Sequence, residues 1–387
     1  MAIGREEYAG RRERLIELLE AHGIGAMFVP PSSDLEYLTG LERDIPPFGN
    51  ISYTHGWVAG AFVGPGREPL FVLPRMVVDF HLGGAAPDGA VVVHENADAR
   101  ALFDEAARSL GSPGRVAIGA RAWAETAIEL QRALPGIELV EGSSLVNGLR
   151  RVKSEAELEL MGRACALVHE AMSATEARVE PGVTMIELQE EVEHQLRLRG
   201  SRCPSFPTHI FTWGETPLDN QESTVGQPLR DGDPVLFDFG AVVDGYCSDF
   251  GRTIVCGEPP DGYAEAREAM LSAQEAGRAA AVPGALAREV NAACRAPIEA
   301  AGLGDGFRHR MGHGIGLDVH ESPFLSVEDE TPLESGMTFT DEPSILADGR
   351  FGMRVEDIIL VTAAGGEFLA EPGTKPHKLL NGLSDSS

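Results

Sequence analysis

Residues 235–255 read VLFDFGAVVDGYCSDFGRTIV, two runs of strand-forming residues on either side of Asp244-Gly245. An Asp-Gly pair between such runs is typical of a two-residue hairpin turn. This turn sets the register, so that Asp249 lies opposite Gly240, and Asp238, two residues from Gly240, points from the same face. The sequence therefore predicts a hairpin that brings two aspartates to one site.

A second hairpin is predicted around Asp348-Gly349-Arg350, between the runs TFTDE at 338–342 and MRVE at 353–356. If the turn is centred on Gly349, Glu342 lies directly opposite Glu356. Any one of the four acids alone is more typical of a solvent-facing strand carboxylate, and a bulge would move an acid off its face. Together, four converging carboxylates repel one another and are costly to bury unless cations neutralise them. The pairing therefore indicates a pair of metal ions.

Residues 309–321 read HRMGHGIGLDVHE and place imidazoles among glycines, which let the backbone pass closely around a bound group. This run resembles the signature of Xaa-Pro dipeptidases (prolidases) and aminopeptidases P of metallopeptidase family M24. The resemblance covers nearly the entire chain. It implies an α+β fold, in which a pita-bread catalytic domain is preceded by an α/β creatinase-like N-terminal domain.

The resemblance also implies a ligand set for two metal ions. By this likeness Asp238 chelates one metal, Asp249 bridges, His313 and Glu342 bind the other metal, and Glu356 bridges both. One nitrogen among oxygen ligands favours Mn²⁺, with Co²⁺ or Zn²⁺ as alternatives. The expected reaction is hydrolysis of the bond before proline in dipeptides or short peptides by a metal-activated hydroxide.

Three residues receive further roles from the same likeness. Glu342 is expected to pass the proton of the water towards the leaving prolyl nitrogen, and His320 to hydrogen-bond the substrate carbonyl or carboxylate. Arg354, two residues before Glu356 and on the same strand face, is expected to orient a ligand carboxylate or meet the C-terminus of the substrate. A salt bridge from Arg354 to a metal ligand is an equally good interpretation.

The chain departs from its relatives at one position, because the family usually carries a further histidine where residues 216–222 read TPLDNQE. Asn220 or Gln221 is the expected replacement for the hydrogen bond of that histidine. His209 lies upstream, but its spacing is wrong for a simple substitute. Substrate preference therefore stays open between a dipeptidase, an aminopeptidase P acting on longer peptides, and a hydrolase of a non-peptide small amide. A catalytically inactive scaffold is a poor interpretation, since all five ligand positions are filled.

Two domains are expected, at residues 1–150 and 151–387. A helix over 6–20 and short apolar runs that alternate with helical stretches predict an α/β first domain. Ser154 and Glu157 form a capping-box pattern that begins the second domain. In that domain we expect helices near 155–176 and 184–199, strands over about 206–255, a helical pattern over about 262–302, and strands up to 363.

Composition narrows the possible partners and location. The 387 residues carry a formal net charge of -28, which disfavours nucleic acid as a partner. A charged N-terminus and the lack of a long apolar run predict a cytoplasmic protein without a membrane span. The five cysteines form an odd set without CxxC spacing, which indicates reduced thiols. The resemblance to the family also implies a homodimer. In such a dimer His55 or Trp57 could contact substrate, but ordinary packing in a core or loop is the more typical role of these residues.

Overall fold

A six-stranded mixed sheet organises the first of two structural units. The computed structural model describes residues 3–43, 53–111, 113–213 and 226–370. One unit runs from Ile3 to Arg150, and the other begins at Arg151. Within the described residues, the helices are too short or too polar to cross a lipid bilayer.

The first unit has the α/β architecture that the sequence predicts. Its strands are β1 Ala26–Val29, β2 Gly60–Val63, β3 Leu70–Pro74, β4 Val91–Val93, β5 Arg115–Ile118 and β6 Glu138–Glu141. Its helices are α1 Arg5–Ala21, α2 Ser33–Thr39, α3 Arg75–His81, α4 Ala99–Arg108, α5 Ala124–Ala133 and α6 Ser143–Arg150, with a 3₁₀ turn at Gly56–Val58. The sheet order is β4-β3-β2-β1-β5-β6. Trp57 packs edge-on against Phe103 in the core of this unit, with ring centroids 5.1 Å apart.

The second unit is α+β, again as predicted. Its helices are α7 Glu155–Thr175, α8 Met185–Leu198, α9 Tyr263–Ala280 and α10 Ala287–Ala300, with 3₁₀ turns at Glu176–Arg178 and Gly304–Gly306. Its first strands are β7 His209–Thr212, β8 Pro234–Phe239, β9 Val242–Val243, β10 Tyr246–Cys247 and β11 Phe250–Val255. The later strands are β12 Gly312–Gly314, β13 Glu321–Leu325, β14 Thr338–Asp341, β15 Ser344–Ala347, β16 Phe351–Arg354, β17 Asp357–Thr362 and β18 Gly365–Phe368. The predicted capping box of Ser154 and Glu157 is present at the start of α7.

The helical pattern expected over 262–302 is two helices rather than one. Helix α9 ends at Ala280 and α10 begins at Ala287. Between them lie Pro283, which has no amide hydrogen to donate, and Gly284, whose φ is +90°. Both residues disfavour a continuous helix, so the sequence did contain the signal for this break.

The two larger sheets of the second unit each have their own pair of helices, and the strand pairs β9–β10 and β15–β16 complete it. A three-stranded sheet has the order β11-β8-β7, and a five-stranded sheet has the order β13-β12-β14-β17-β18. Helices α9 and α10 pack against each other and cover the five-stranded sheet through a common apolar core, which includes Met270, Val290, Phe339 and Ile359. Helix α7 contacts α8 and the β9–β10 hairpin. The pair α7 and α8 and the pair α9 and α10 therefore accompany different sheets of this unit.

Candidate metal centre

The first predicted hairpin has the expected register. Asp244 and Gly245 both have positive φ, 45° and 85°, as a two-residue turn with the twist of a hairpin requires. In the β8–β11 ladder Phe239 lies opposite Phe250, the register that puts Asp249 opposite Gly240. Asp238 ends up beside Asp249, as predicted.

The second predicted hairpin also keeps its register. Ser344 pairs with Arg354 on one side of the acids, and Asp341 pairs with Asp357 on the other. Both pairings are centred on Gly349, so the register expected for Glu342 and Glu356 is confirmed. The two glutamates occupy the interruption between the β15–β16 and β14–β17 ladders.

Close backbone contacts bring the remaining parts of the site together. Gly251 of the first hairpin forms an antiparallel bridge with Glu356 of the second. His313 lies on β12, where its backbone N–H donates to Thr340 Oγ1 at 3.0 Å. The preceding Gly312 is tightly enclosed, because a Cβ there would lie 1.7 Å from the carbonyl oxygen of Thr340. Glycine is therefore required next to this histidine.

The five predicted ligand side chains form one cluster. His313 Nε2 lies 3.6 Å from Asp249 Oδ2 and 3.4 Å from Glu342 Oε1. Ligand atoms of Asp249, His313 and Glu356 all lie within 4.8 Å of one another. His313 Nδ1 lies 3.1 Å from the carbonyl oxygen of Gly314, which can only accept, so Nδ1 carries the proton. The lone pair of Nε2 therefore faces the carboxylates, ready to bind a metal.

Burial strongly perturbs the titration of this cluster. It raises the pKa of Asp249 well above its usual range, and the nearby Asp238 and Glu342 raise it further. Burial also raises the pKa of Glu356 well above its usual range, and that of Glu342 to about 7. It lowers the pKa of His313 to about 3, so the imidazole is neutral at neutral pH.

This donor set fits divalent cations. Among the described residues, Oδ1 of Asp249 and Oε2 of Glu356 are buried without a hydrogen-bond partner. A buried carboxylate oxygen in that condition is costly unless a cation contacts it. Carboxylate oxygens with one imidazole suit Mn²⁺, Co²⁺ or Zn²⁺.

Arg354 lines the cavity, and its guanidinium contacts three of the acids. Its Nη1 forms an ion pair with Asp238 and lies 3.7 Å from Glu342 Oε2 and 3.8 Å from Glu356 Oε2. Its Nε donates to Ser344 Oγ at 2.9 Å. This geometry favours the salt-bridge interpretation of Arg354 over contact with the substrate.

All seven residues singled out from the sequence line one cavity of about 400 Å³: Asp238, Asp249, His313, His320, Glu342, Arg354 and Glu356. His320 is partly exposed and stands perpendicular to His313, with ring centroids 4.1 Å apart. Burial and the charge of Arg310 lower its pKa. The ring is therefore placed to hydrogen-bond a group held beside His313.

Five further residues line the cavity and were given no role by the sequence: Phe206, His209, His309, Arg310 and Val319. His309 Nε2 lies 2.9 Å from Ser344 Oγ, and burial lowers its pKa to about 3. His209, set aside because of its spacing, lies directly opposite Asp238 in the β7–β8 ladder. His309 and Arg310 lie in the same stretch as His313, residues 309–321, and this position in the sequence is what pointed to them. Asn220 and Gln221, the expected replacements for the missing histidine, lie outside the described residues.

Two family models match the chain. Residues 159–363 match metallopeptidase family M24, and residues 11–152 match the creatinase/prolidase N-terminal domain. These matches confirm the expected fold, a pita-bread catalytic domain preceded by a creatinase-like domain.

Individual relatives cover the same extent. The probable dipeptidase PepE of Mycobacterium tuberculosis is 30% identical, over 97% of this chain and 96% of the relative. The Xaa-Pro dipeptidase of Pyrococcus furiosus is 28% identical, over 93% of this chain and 97% of the relative. The crystal structure of a dipeptidase from Pyrococcus horikoshii OT3 superposes with a TM-score of 0.82 at 31% identity, covering 93% of this chain and 98% of that one.

Proposed function

Because the chain belongs to metallopeptidase family M24, we propose that it is a dinuclear-metal hydrolase that cleaves the peptide bond before proline in Xaa-Pro dipeptides. One observation carries this proposal, the meeting of ligand-type side chains in the wall of one cavity: Asp238, Asp249, His313, Glu342 and Glu356. We assign the activity to residues 151–387, with residues 1–150 as a supporting domain.

In this proposal the five side chains share two cations. Asp238 would hold one ion, His313 and Glu342 would hold the other, and Asp249 and Glu356 would serve both. Asp249 Oδ1 and Glu356 Oε2 support the shared roles, because each is buried without a hydrogen-bond partner and so keeps an acceptor available. We propose Mn²⁺ as the resident metal, with Co²⁺ and Zn²⁺ as the competing choices.

When bound, the cations supply Lewis acidity, which lowers the pKa of a water molecule and polarises the scissile carbonyl. Glu342 takes the proton of the attacking water and delivers it to the leaving prolyl nitrogen. Thr340 Oγ1 donates to Glu342 Oε1 at 3.1 Å and holds the carboxylate for this transfer. His320 donates a hydrogen bond to the carbonyl oxygen as negative charge develops there.

We also propose that the chain acts as a homodimer. In this proposal the first domain, whose residues 11–152 match the creatinase/prolidase N-terminal domain, takes part in the assembly. Light scattering of the purified protein should give twice the chain mass of 41.3 kDa. A mass equal to that of one chain would contradict the dimer but not the catalytic assignment.

The activity is tested by measuring proline release from Xaa-Pro dipeptides and from longer peptides that begin Xaa-Pro. The protein is first stripped of metal with a chelator and then supplied with Mn²⁺, Co²⁺ or Zn²⁺. Asp249→Asn should lower kcat/KM more than about 100-fold. Substitution of a residue that only supports a metal ligand typically costs about 10- to 100-fold, so a larger loss indicates a ligand. Asp88→Asn, the same change at an exposed position of the first unit, is the matched control.

The three possible outcomes lead to different conclusions about the substrate. Metal-dependent cleavage confined to dipeptides supports the Xaa-Pro dipeptidase. Efficient cleavage of the longer peptides identifies an aminopeptidase P instead. If a folded, metal-loaded protein releases no product from either set, the proposal fails, and small non-peptide amides become the substrates to test.

A further inference from the structure

Arg310 is a second arginine of the cavity wall, three residues before His313. Its surroundings differ from those of Arg354, whose guanidinium pairs with Asp238 and lies within 4.0 Å of two other ligand carboxylates. In the part of the chain that the structure describes, no carboxylate forms an ion pair with Arg310, and its buried Nε has no hydrogen-bond partner. A guanidinium charge is thus available inside the cavity.

An aromatic ring holds this guanidinium in place. Arg310 Cζ lies 5.1 Å from the centroid of the Phe324 ring, a cation–π distance. Phe324 lies directly opposite His313 in the β12–β13 ladder, so both side chains leave the same face of that strand pair. The cation is therefore fixed near a metal ligand without being neutralised.

The charge of Arg310 reaches the groups that would surround a substrate. After burial, Arg310 is the next largest influence that lowers the pKa of His320. It also contributes to lowering the pKa of His313 and His309, whose largest cause is again burial. The guanidinium thus lies at the same end of the cavity as these three imidazoles.

We propose that Arg310 binds the free α-carboxylate of a dipeptide substrate and so makes the enzyme select dipeptides over longer peptides. The inference rests on the proposed function. In Xaa-Pro the carboxylate carbon is three bonds from the scissile carbonyl carbon, a separation below about 4.3 Å even if fully extended. A guanidinium beside the metal ligands is at the right place to form a bidentate pair with it. In a longer peptide the same position holds a neutral amide.

The test compares one Xaa-Pro dipeptide with its C-terminal amide, in wild type and in Arg310→Met. Methionine keeps an unbranched apolar stem but carries no charge. For the dipeptide KM should rise about 10- to 100-fold with little change in kcat, since charge-assisted hydrogen bonds are lost. For the amide both constants should stay within about threefold, so the preference for the free carboxylate disappears. Arg310→Lys should recover part of it.

A binding measurement separates this role from a structural one. Free proline should inhibit wild type more strongly than prolinamide, and Arg310→Met should remove that difference. Arg308→Met is the matched control, because Arg308 is exposed and pairs with Asp348. An equal loss on dipeptide and amide, or no loss on either, would overturn the inference while leaving the proposed function intact. If metal-loaded wild type hydrolyses neither, the proposed function fails and the inference fails with it.

Discussion

Gly251 and Glu356 exchange two backbone hydrogen bonds, from Gly251 N to Glu356 O at 3.3 Å and from Glu356 N to Gly251 O at 2.9 Å. The two residues belong to different hairpins, 105 positions apart in the chain. Their pairing is what turns two separate pairs of acids into a single cluster. The absence of a side chain at Gly251 makes room for the carboxylate of Glu356.

Gly251→Ala is expected to disturb the metal site more than the fold. An added Cβ would lie 2.8 Å from Glu356 Oε2 and 2.8 Å from Arg354 Cδ, so both side chains must shift. We expect metal content after dialysis to fall at least tenfold while the circular dichroism spectrum is retained. Gly114→Ala, where a Cβ meets nothing within 4 Å, should behave as wild type. Full metal content in Gly251→Ala would contradict this prediction.

The positions of the four clustered acids were largely predictable because turn chemistry determines strand register. Asp244-Gly245 and Gly349 adopt the positive φ values that their turns need, so counting outward from each turn located Asp238, Asp249, Glu342 and Glu356 correctly. The residues of the turn and of its two flanking strands are sufficient to place these acids. The pairing of facing strands follows from the turn and needs no knowledge of distant contacts.

The contacts of the cationic residues were not predictable in the same way. Arg354 and Asp238 are 116 positions apart, and their ion pair depends on how the two hairpins pack. Arg310 acquires its position from the ring of Phe324, and His209 from the β7–β8 ladder. These are tertiary relationships, and a sequence pattern carries no direct signal for them. The break between α9 and α10 is different, since Pro283 and Gly284 did signal it.

Arg354→Met should destabilise the metal-free protein and increase its response to metal. Buried Glu342 and Glu356 and half-buried Asp238 lose their paired cation, and leaving buried charges unpaired typically costs about 3 kcal/mol or more. Bound Mn²⁺ would replace that charge, so the rise in Tm on adding Mn²⁺ should be larger than in wild type. Arg350→Met, an exposed position of the same hairpin, is the control. A raised KM with an unchanged metal response would instead favour contact between Arg354 and the substrate.

Arg252 is expected to hold Glu356 in position from behind the cluster. Its Nη2 donates to Asp357 at 2.8 and 3.0 Å, and its Nη1 donates to the carbonyl oxygen of Glu356 at 2.8 Å. Arg252→Lys keeps the positive charge of this side chain but cannot make the same set of hydrogen bonds to Asp357 and Glu356. The affinity of the protein for metal should therefore fall. A double-mutant cycle with Asp357→Asn, measured by urea unfolding, should give a coupling free energy of about 1 to 3 kcal/mol. Additive effects of the two changes would show that the pair is not coupled.

Asp249→Asn should have opposite effects on the metal-free and metal-loaded proteins. Without metal, Asp249 is a buried acid beside Asp238 and Glu342 with an unpartnered Oδ1, so folding must either bury its charge or bind a proton. Asparagine has nearly the same shape and avoids that cost. In chelator the variant should therefore melt about 2–4 °C above wild type for each kcal/mol relieved.

With excess Mn²⁺ the order should reverse, because the variant has lost a ligand and gains less from binding. Melting curves in chelator and in Mn²⁺, together with the metal content of both proteins, measure the two effects. Asp88→Asn should change neither curve, since its carboxylate is exposed. A variant that melts below wild type in chelator as well would mean that Asp249 stabilises the fold itself, and that the repulsion among the four acids is relieved without metal.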